Sequence, residues 1–348
     1  MLPFKLVYHE GYFLPLGAHV FPAQKYRLIH RYLLESGIAG PADFITPEPG
    51  SDEDILLVHT PDYVRKLKTG TLSLQEEMQM EVPYSQQLVD AFWLAAGGSI
   101  LAAQRAMKDG VSVNIGGGFH HAFPDHGEGF CVIHDVAVAI KRLHKDGLLQ
   151  RAMTVDCDVH DGNGTAAVFP PKISPPKISP PKTSPPSARA GQPLPSAGGV
   201  QHDLRAANPP GRDNTGELEV FTISLHQENN YPRFKPPSSI DVNLPDGTND
   251  EQYLGWLSQA LSSAFRQFEP QMLFYIAGAD PYVEDQLGGL ALTIDGLRKR
   301  DDLVLAAARS RNIPVMITFA GGYARRTEDT VTIHCNTVLA AAAAFAGF

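Results

Sequence analysis

Short apolar runs alternate along this chain with longer stretches whose apolar positions recur every three or four residues. The runs predict strands at KLVYHE (5–10), DILLVHT (54–60), VSVNI (111–115), AMTVDCDV (152–159), VFTISLH (220–226), QMLFYIA (271–277) and IPVMITF (313–319). The amphipathic stretches predict helices over 22–35, 61–68, 85–108, 135–145, 251–268, 293–311 and 328–345. Pro22 and Pro61 stand where a first helical turn tolerates a missing N–H, and Gly70, Gly110 and Gly147 follow helical ends. Apolar strands joined by crossover helices need cover on both faces, so the pattern predicts a single doubly wound α/β domain around a mostly parallel central sheet.

One segment breaks the pattern. Residues 170–216 hold PPKIS, PPKIS and PPKTS in succession, and twelve of the 28 prolines lie between Pro170 and Pro210. Locked φ angles and missing N–H groups exclude helix and central strand there. The segment reads as a low-complexity, disordered insertion. It is either a tolerated surface loop or a docking stretch for a partner that reads polyproline II.

Composition narrows the function classes. With 348 residues and 43% hydrophobic positions the chain can bury a large core. A formal charge of -9 argues against direct nucleic-acid binding, which needs concentrated Lys and Arg. Cys131, Cys157 and Cys335 are too few and too scattered for a disulfide framework or a structural zinc, which fits a reducing cytoplasm. The N-terminal MLPFKLVYHEGYF lacks the pattern of a signal peptide, and no unbroken apolar stretch approaches the roughly 18 residues of a membrane span. Secretion and membrane insertion are therefore not expected.

In open α/β sheets ligands bind beyond the carboxyl ends of the strands, and five predicted exits here are polar: VSVNI into GGGFHH, AMTVDCDV into HDGNG, VFTIS into LHQENNYP, QMLFYIA into GAD, and IPVMITF into AGGYA. Asp156, Asp158 and His160 alternate at period two, which puts carboxylates and imidazole on one side of an extended strand end. A divalent ion makes such a set tolerable; capping and loop hydrogen bonds by Asp and Asn are the alternative. Asp280 of GAD can supply a further ligand, so that Asp158, His160 and Asp280 make a three-ligand site with an open position, as catalytic zinc requires. A mixed oxygen and nitrogen set also admits Fe(II), Mn(II) or Co(II). The adjacent His120 and His121 suggest proton handling, with Asp156 and Asn163 as separate orienting partners for the two rings. A carboxylate partner favours a charged ring and an amide partner a neutral one. Tyr323 of AGGYA can donate to an oxygen that gains charge, or simply pack its ring.

Taken together, GGGFHH, DCDVHDGNG, GAD and GGYA in this order strongly resemble the zinc-dependent histone deacetylase family, bacterial acetoin-utilisation proteins and acetylpolyamine amidohydrolases included. With Asn163 where many members carry aspartate, HDGNG looks most like class IV-type deacetylases and their bacterial relatives. The resemblance spans nearly the whole chain apart from 170–216 and implies the arginase/deacetylase fold over 1–348. It implies Zn2+, with Fe2+ as an alternative, on Asp158, His160 and Asp280. It also implies His121 as general base and acid, His120 backed by Asp156 as electrostatic partner, and Tyr323 polarising the scissile carbonyl. Gly129, Phe130, Tyr231 and Leu287 are implied as the substrate tunnel, and Asp156, Asp158, His160, Ser224 and Leu225 as a potassium site. Lys25 stands where many members have an internal arginine, and the loop EVPYSQQ (81–87) reads as lacking the acidic residue with which class I members grip the substrate backbone.

The implied reaction is hydrolysis of N-acetyl-lysine, in a protein or in a small acetylated amine, with acetylpolyamines and longer acyl chains as alternatives. Two rivals compete with it. An arginase-like ureohydrolase needs D-x-H-x-D and a close D-x-D, and DVHDG and ADPYVED supply neither. A catalytically silent acyl-lysine binding protein would have no need of His121 and Tyr323.

Overall fold

Six of the seven apolar runs become strands, and every pairing of strands among the described residues is parallel. The computed structural model describes residues 1–172 and 216–346; the insertion, apart from its edges, lies outside the described residues. Its first half runs β1 (Leu6–Val7), α1 (Lys25–Glu35), β2 (Phe44–Ile45), α2 (Asp52–Ile55), α3 (Pro61–Thr69), α4 (Leu74–Met80), α5 (Gln86–Asp109), β3 (Val111–Asn114), α6 (Asp135–Lys145), β4 (Arg151–Asp156) and α7 (Asn163–Val168). After the insertion come β5 (Glu219–Gln227), β6 (Ile240–Leu244), α8 (Asp250–Gln267), β7 (Met272–Ile276), α9 (Ile294–Arg309), β8 (Val315–Thr318) and α10 (Thr327–Phe345).

The eight strands form one sheet in the order β2-β1-β3-β8-β7-β4-β5-β6. This is a single α/β domain with an all-parallel sheet, as the pattern predicts. Helix α5 packs on α6 in one layer, and α1, α10, α9 and α8 pack in succession in another. Cover on both sides explains why β3, β7 and β8 are buried at every position, while the edge strand β6 alternates buried with half-buried. Phe274, Tyr275, Ile317 and Phe319 are wholly inaccessible, each contributing roughly 1.5–3 kcal/mol through burial.

Some expectations are corrected. DILLVHT is not a strand: Ser51 and Asp54 form a reciprocal capping box, α2 follows, and Ile55 and Val58 turn inward one helical turn apart while Leu56 stays exposed. The first helix begins at Lys25 rather than Pro22, whose carbonyl accepts the Lys25 N–H at 2.8 Å. Strands β2 and β6 and helices α4 and α7 were not expected, although IDVNL carries the period-two signal and Ser73/Glu76 another capping box. Among the described residues no helix is long and apolar enough to cross a membrane.

Candidate active site

In a parallel sheet all carboxyl ends share one edge, and β3, β8, β7, β4 and β5 are consecutive neighbours. The five polar exits therefore meet. After β3 the glycine loop is pinned by Asp135, at the start of α6, which accepts the N–H of Gly118 and of Phe119 at 3.1 and 2.8 Å. This delivers His120 and His121 to the sheet edge. Helix α7 closes on them so tightly that a Cβ at Gly164 would sit 2.6 Å from the His120 carbonyl, and Thr165 N–H bonds that carbonyl at 3.1 Å.

The chain leaves strand geometry at Asp156, earlier than predicted, and folds back on its own carboxylates. The Asp158 N–H bonds Asp156 Oδ1 at 3.1 Å, and the His160 N–H bonds Asp158 Oδ1 at 3.0 Å. Asp280, beyond β7, reaches across to accept the Val159 N–H at 2.8 Å. His160 Nδ1 lies 3.0 Å from Asp158 Oδ1 and 3.3 Å from Asp280 Oδ2. The structure thus brings Asp158, His160 and Asp280 together, their ligand atoms within 4.8 Å of one another and all three residues buried.

This set fits a cation. Asp280 Oδ2 is buried and, with His160 Nδ1 3.3 Å away, receives no hydrogen bond among the described residues, and a buried carboxylate oxygen so poorly satisfied is costly. Burial and the Asp158 charge push Asp280 up to about 7. Burial would lower His160, but Asp158 and Asp280 outweigh it and hold it near 10. Two carboxylates and an imidazole without thiolate suit Zn2+ and admit Fe(II).

The adjacent imidazoles have separate partners. His120 Nδ1 lies 2.6 Å from Asp156 Oδ2, and His121 Nδ1 lies 2.7 Å from Asn163 Oδ1. Burial opposes charge on His120, but Asp156 and Asp158 raise it to about 9. Burial, then the neighbouring His120 and His160, drives His121 well below its ordinary value. One ring is therefore charged and the other neutral at neutral pH.

A cavity of about 160 Å³ opens above them, lined by Gly129, Phe130, Tyr231, Leu287, His121, His160, Tyr323, Asn230 and Glu81. Glu81 corrects one expectation: the loop 81–87 does bring a carboxylate to the cavity, from a residue that ends α4 in the left-handed conformation with φ 59°. Lys25 is fully buried behind the acidic pair, donates to the Ala320 carbonyl at 2.5 Å, and is lowered to about 8 by burial despite Asp280, Asp158 and Asp285. Asp156 and Ser224 are register partners on β4 and β5, and Ser224 Oγ lies 2.9 Å from His226 Nδ1. Beside them Asp161, His226 and Asp241 form a second cluster.

Sequence reasoning missed three supports. Arg300, fully buried on α9, donates to the Gly278 and Cys157 carbonyls at 2.5 and 3.3 Å, tying the two strand exits that carry Asp280 and Asp158. Asp285 accepts the Tyr323 N–H at 2.7 Å and the Leu287 N–H at 2.8 Å. Glu128 accepts a hydrogen bond from Asn163 Nδ2 at 2.8 Å. Nothing in RKRDD, VED or GEG separates such residues from solvated charge.

Residues 19–339 match the histone deacetylase domain model. An uncharacterized protein of Picosynechococcus sp. is 36% identical over 332 residues, covering 95% of this chain and 96% of that protein. Histone deacetylase 2 of Arabidopsis thaliana is 28% identical, covering 90% of this chain and 72% of its own length. Human histone deacetylase 1 is 26% identical over 88% of this chain, which spans 58% of that larger protein. Among solved structures, an HDAC homolog complexed with SAHA and an HDAC homolog from Aquifex aeolicus each share this fold at a TM-score of 0.70 and 23% identity, covering 97% of this chain and 82% of theirs.

Proposed function

Because this chain belongs to the histone deacetylase family, we propose that it is a metal-dependent deacetylase that hydrolyses the amide of N-acetyl-lysine. The observation that carries this reading is the convergence of Asp158, His160 and Asp280 beneath a cavity whose wall includes the neutral His121 and Tyr323.

Asp158, His160 and Asp280 would hold Zn2+, or Fe2+ in its place. When bound, the ion supplies Lewis acidity to the acyl carbonyl and makes a water deprotonable near neutral pH. His121 takes the proton of the attacking water and later passes it to the departing amine. His120, kept charged against Asp156, adds a fixed positive field beside the developing oxyanion. The Tyr323 hydroxyl donates to the carbonyl oxygen as its charge grows, and Asp285 fixes that tyrosine through its backbone. Gly129, Phe130, Tyr231 and Leu287 flank the acyl-lysine stem. A potassium ion against Asp156, Asp158, His160, Ser224 and Leu225 would add positive charge below. The two carboxylate oxygens of Asp161, buried beside Ser224 and His226 without a hydrogen bond among the described residues, support a cation in that region.

Glu81 at the cavity favours a second reading of the substrate, a small acetylated polyamine whose ammonium would meet that carboxylate. One assay series tests both: steady-state hydrolysis of acetyl-lysine peptide, longer acyl-lysine peptides and acetylspermidine by protein loaded with zinc or with ferrous iron. The acetyl-lysine peptide is expected to be the best substrate. Preference for acetylspermidine moves the reading to the polyamine. Binding of acetyl-lysine peptide without turnover of any substrate leaves a silent reader and sinks both.

A further inference from the structure

An amide beside a general base is ambiguous, since its oxygen and NH2 ends have the same shape and opposite hydrogen-bonding sense. Presented the wrong way round, Asn163 would offer His121 a donor and force its proton onto the nitrogen that should accept. Two contacts prevent this. The Gly164 N–H donates to Asn163 Oδ1 at 3.0 Å, and Asn163 Nδ2 donates to Glu128 Oε1 at 2.8 Å. A carboxylate only accepts, so the second contact fixes which end of the amide is NH2. With Oδ1 facing His121 at 2.7 Å, the ring carries its proton on Nδ1 and keeps the Nε2 lone pair.

Glu128 is itself held. Its backbone exchanges hydrogen bonds with Cys131 at 3.0 and 2.9 Å, so the side chain leaves from a fixed point. The second carboxylate oxygen meets Gln79 Nε2 at 3.4 Å and His126 Nε2 at 3.5 Å. The Tyr231 ring stands edge-on to His121 with centroids 5.1 Å apart. Glu128 thus anchors the amide at Nδ1 of a ring whose flank is walled by Tyr231.

We propose that Glu128 is a positioning residue that sets the proton position of His121 through Asn163. The inference rests on the reading of His121 as the proton acceptor. Glu128→Gln, whose amide oxygen can still receive the Asn163 NH2, is expected to keep kcat close to wild type. Glu128→Ala is expected to lower kcat about tenfold or more while KM stays within about threefold, the pattern of a lost orienting partner. Asn163→Asp alone sets two carboxylates face to face and is expected to lose about tenfold or more. Adding Glu128→Gln rebuilds the pair in reverse order and is expected to recover kcat to within about threefold of Glu128→Gln.

A second readout needs neither metal nor turnover: 15N imidazole spectra of metal-free protein, with the His121 signals assigned by their absence in His121→Ala. Wild type is expected to show the Nδ1–H form, and Glu128→Ala a mixture of tautomers. Should wild type hydrolyse no acetylated substrate, the proposed function fails and the tautomer spectra decide the role of Glu128. An active wild type overturns the inference alone if Glu128→Ala keeps both its kcat and the pure Nδ1–H signal, or if the double variant is no better than Asn163→Asp.

Discussion

Two clusters of one imidazole and two carboxylates lie at neighbouring strand ends, Asp158–His160–Asp280 and Asp161–His226–Asp241. Their donor types are the same, but their surroundings are not. His160 faces the cavity and stands beside His120 and His121, whereas no member of the second cluster lines that cavity. Both His226 nitrogens are already engaged, Nδ1 with Ser224 Oγ at 2.9 Å and Nε2 with Asn243 Oδ1 at 2.8 Å. Ligand spacing alone therefore does not make a reaction centre. What distinguishes the first cluster is a cavity that reaches His160 and a neutral imidazole, His121, in its wall.

The largest effect should follow from Asp280→Ala, which removes a proposed ligand while leaving the Val159 N–H without its acceptor. Bound zinc measured by elemental analysis and acetyl-lysine turnover should both vanish. Full occupancy in that variant would break the comparison at its root. Next comes Tyr323→Phe, which keeps the buried ring and removes the hydroxyl proposed to donate to the oxyanion. It should cost roughly 2.7–4 kcal/mol of barrier, about 100- to 1,000-fold in kcat, with zinc content unchanged. Turnover at the wild-type rate would show that the hydroxyl plays no part.

The sequence made the first cluster legible and left most of its support hidden, for a physical reason. Strand exits announce themselves locally: VSVNI, QMLFYIA and IPVMITF are apolar because both faces are covered, and the polar residues that follow stand out against them. A parallel sheet then brings separated exits to one edge, so Asp158 and Asp280 meet although 121 residues separate Val159 from the carboxylate it bonds. Arg300, Asp285 and Glu128 act through partners far away in the chain, and no local period marks them. Glu81 was misjudged because its direction depends on a left-handed helix end. DILLVHT failed because a capping box at Ser51 outweighed an apolar run.

A smaller effect sharpens the contrast through pH. Burial lowers His226 from its ordinary 6.5 to about 4, although its hydrogen bond to Asn243 opposes the shift. Between those values the unfolded chain binds a proton that the folded protein does not. Stability is therefore whole above pH 6.5 and is lost as pH falls toward 4, by on the order of 3 kcal/mol from this group. His59, lowered to about 4 by burial, adds a loss of the same sign, so the difference between variants is the quantity to read. Denaturant melts of His226→Gln from pH 7 to 4.5 should show a shallower decline than wild type. Parallel curves would mean that His226 is charged in the folded protein.

The smallest effect belongs to Asp161→Asn. Its carboxylate lies 3.2 Å from His226 Nδ1 and is buried, yet it neither lines the cavity nor touches His121. Turnover of zinc-loaded protein should stay within about threefold of wild type, as for a change that leaves the reacting groups in place. The variant should differ instead in its response to salt. A cation held only by the folded state raises Tm by mass action, so wild type should melt higher in potassium chloride than in N-methylglucamine chloride of equal ionic strength, and Asp161→Asn should lose part of that gain. A tenfold or greater fall in turnover would erase the distinction between the clusters, because it would mean that the sealed one acts on the chemistry of the open one.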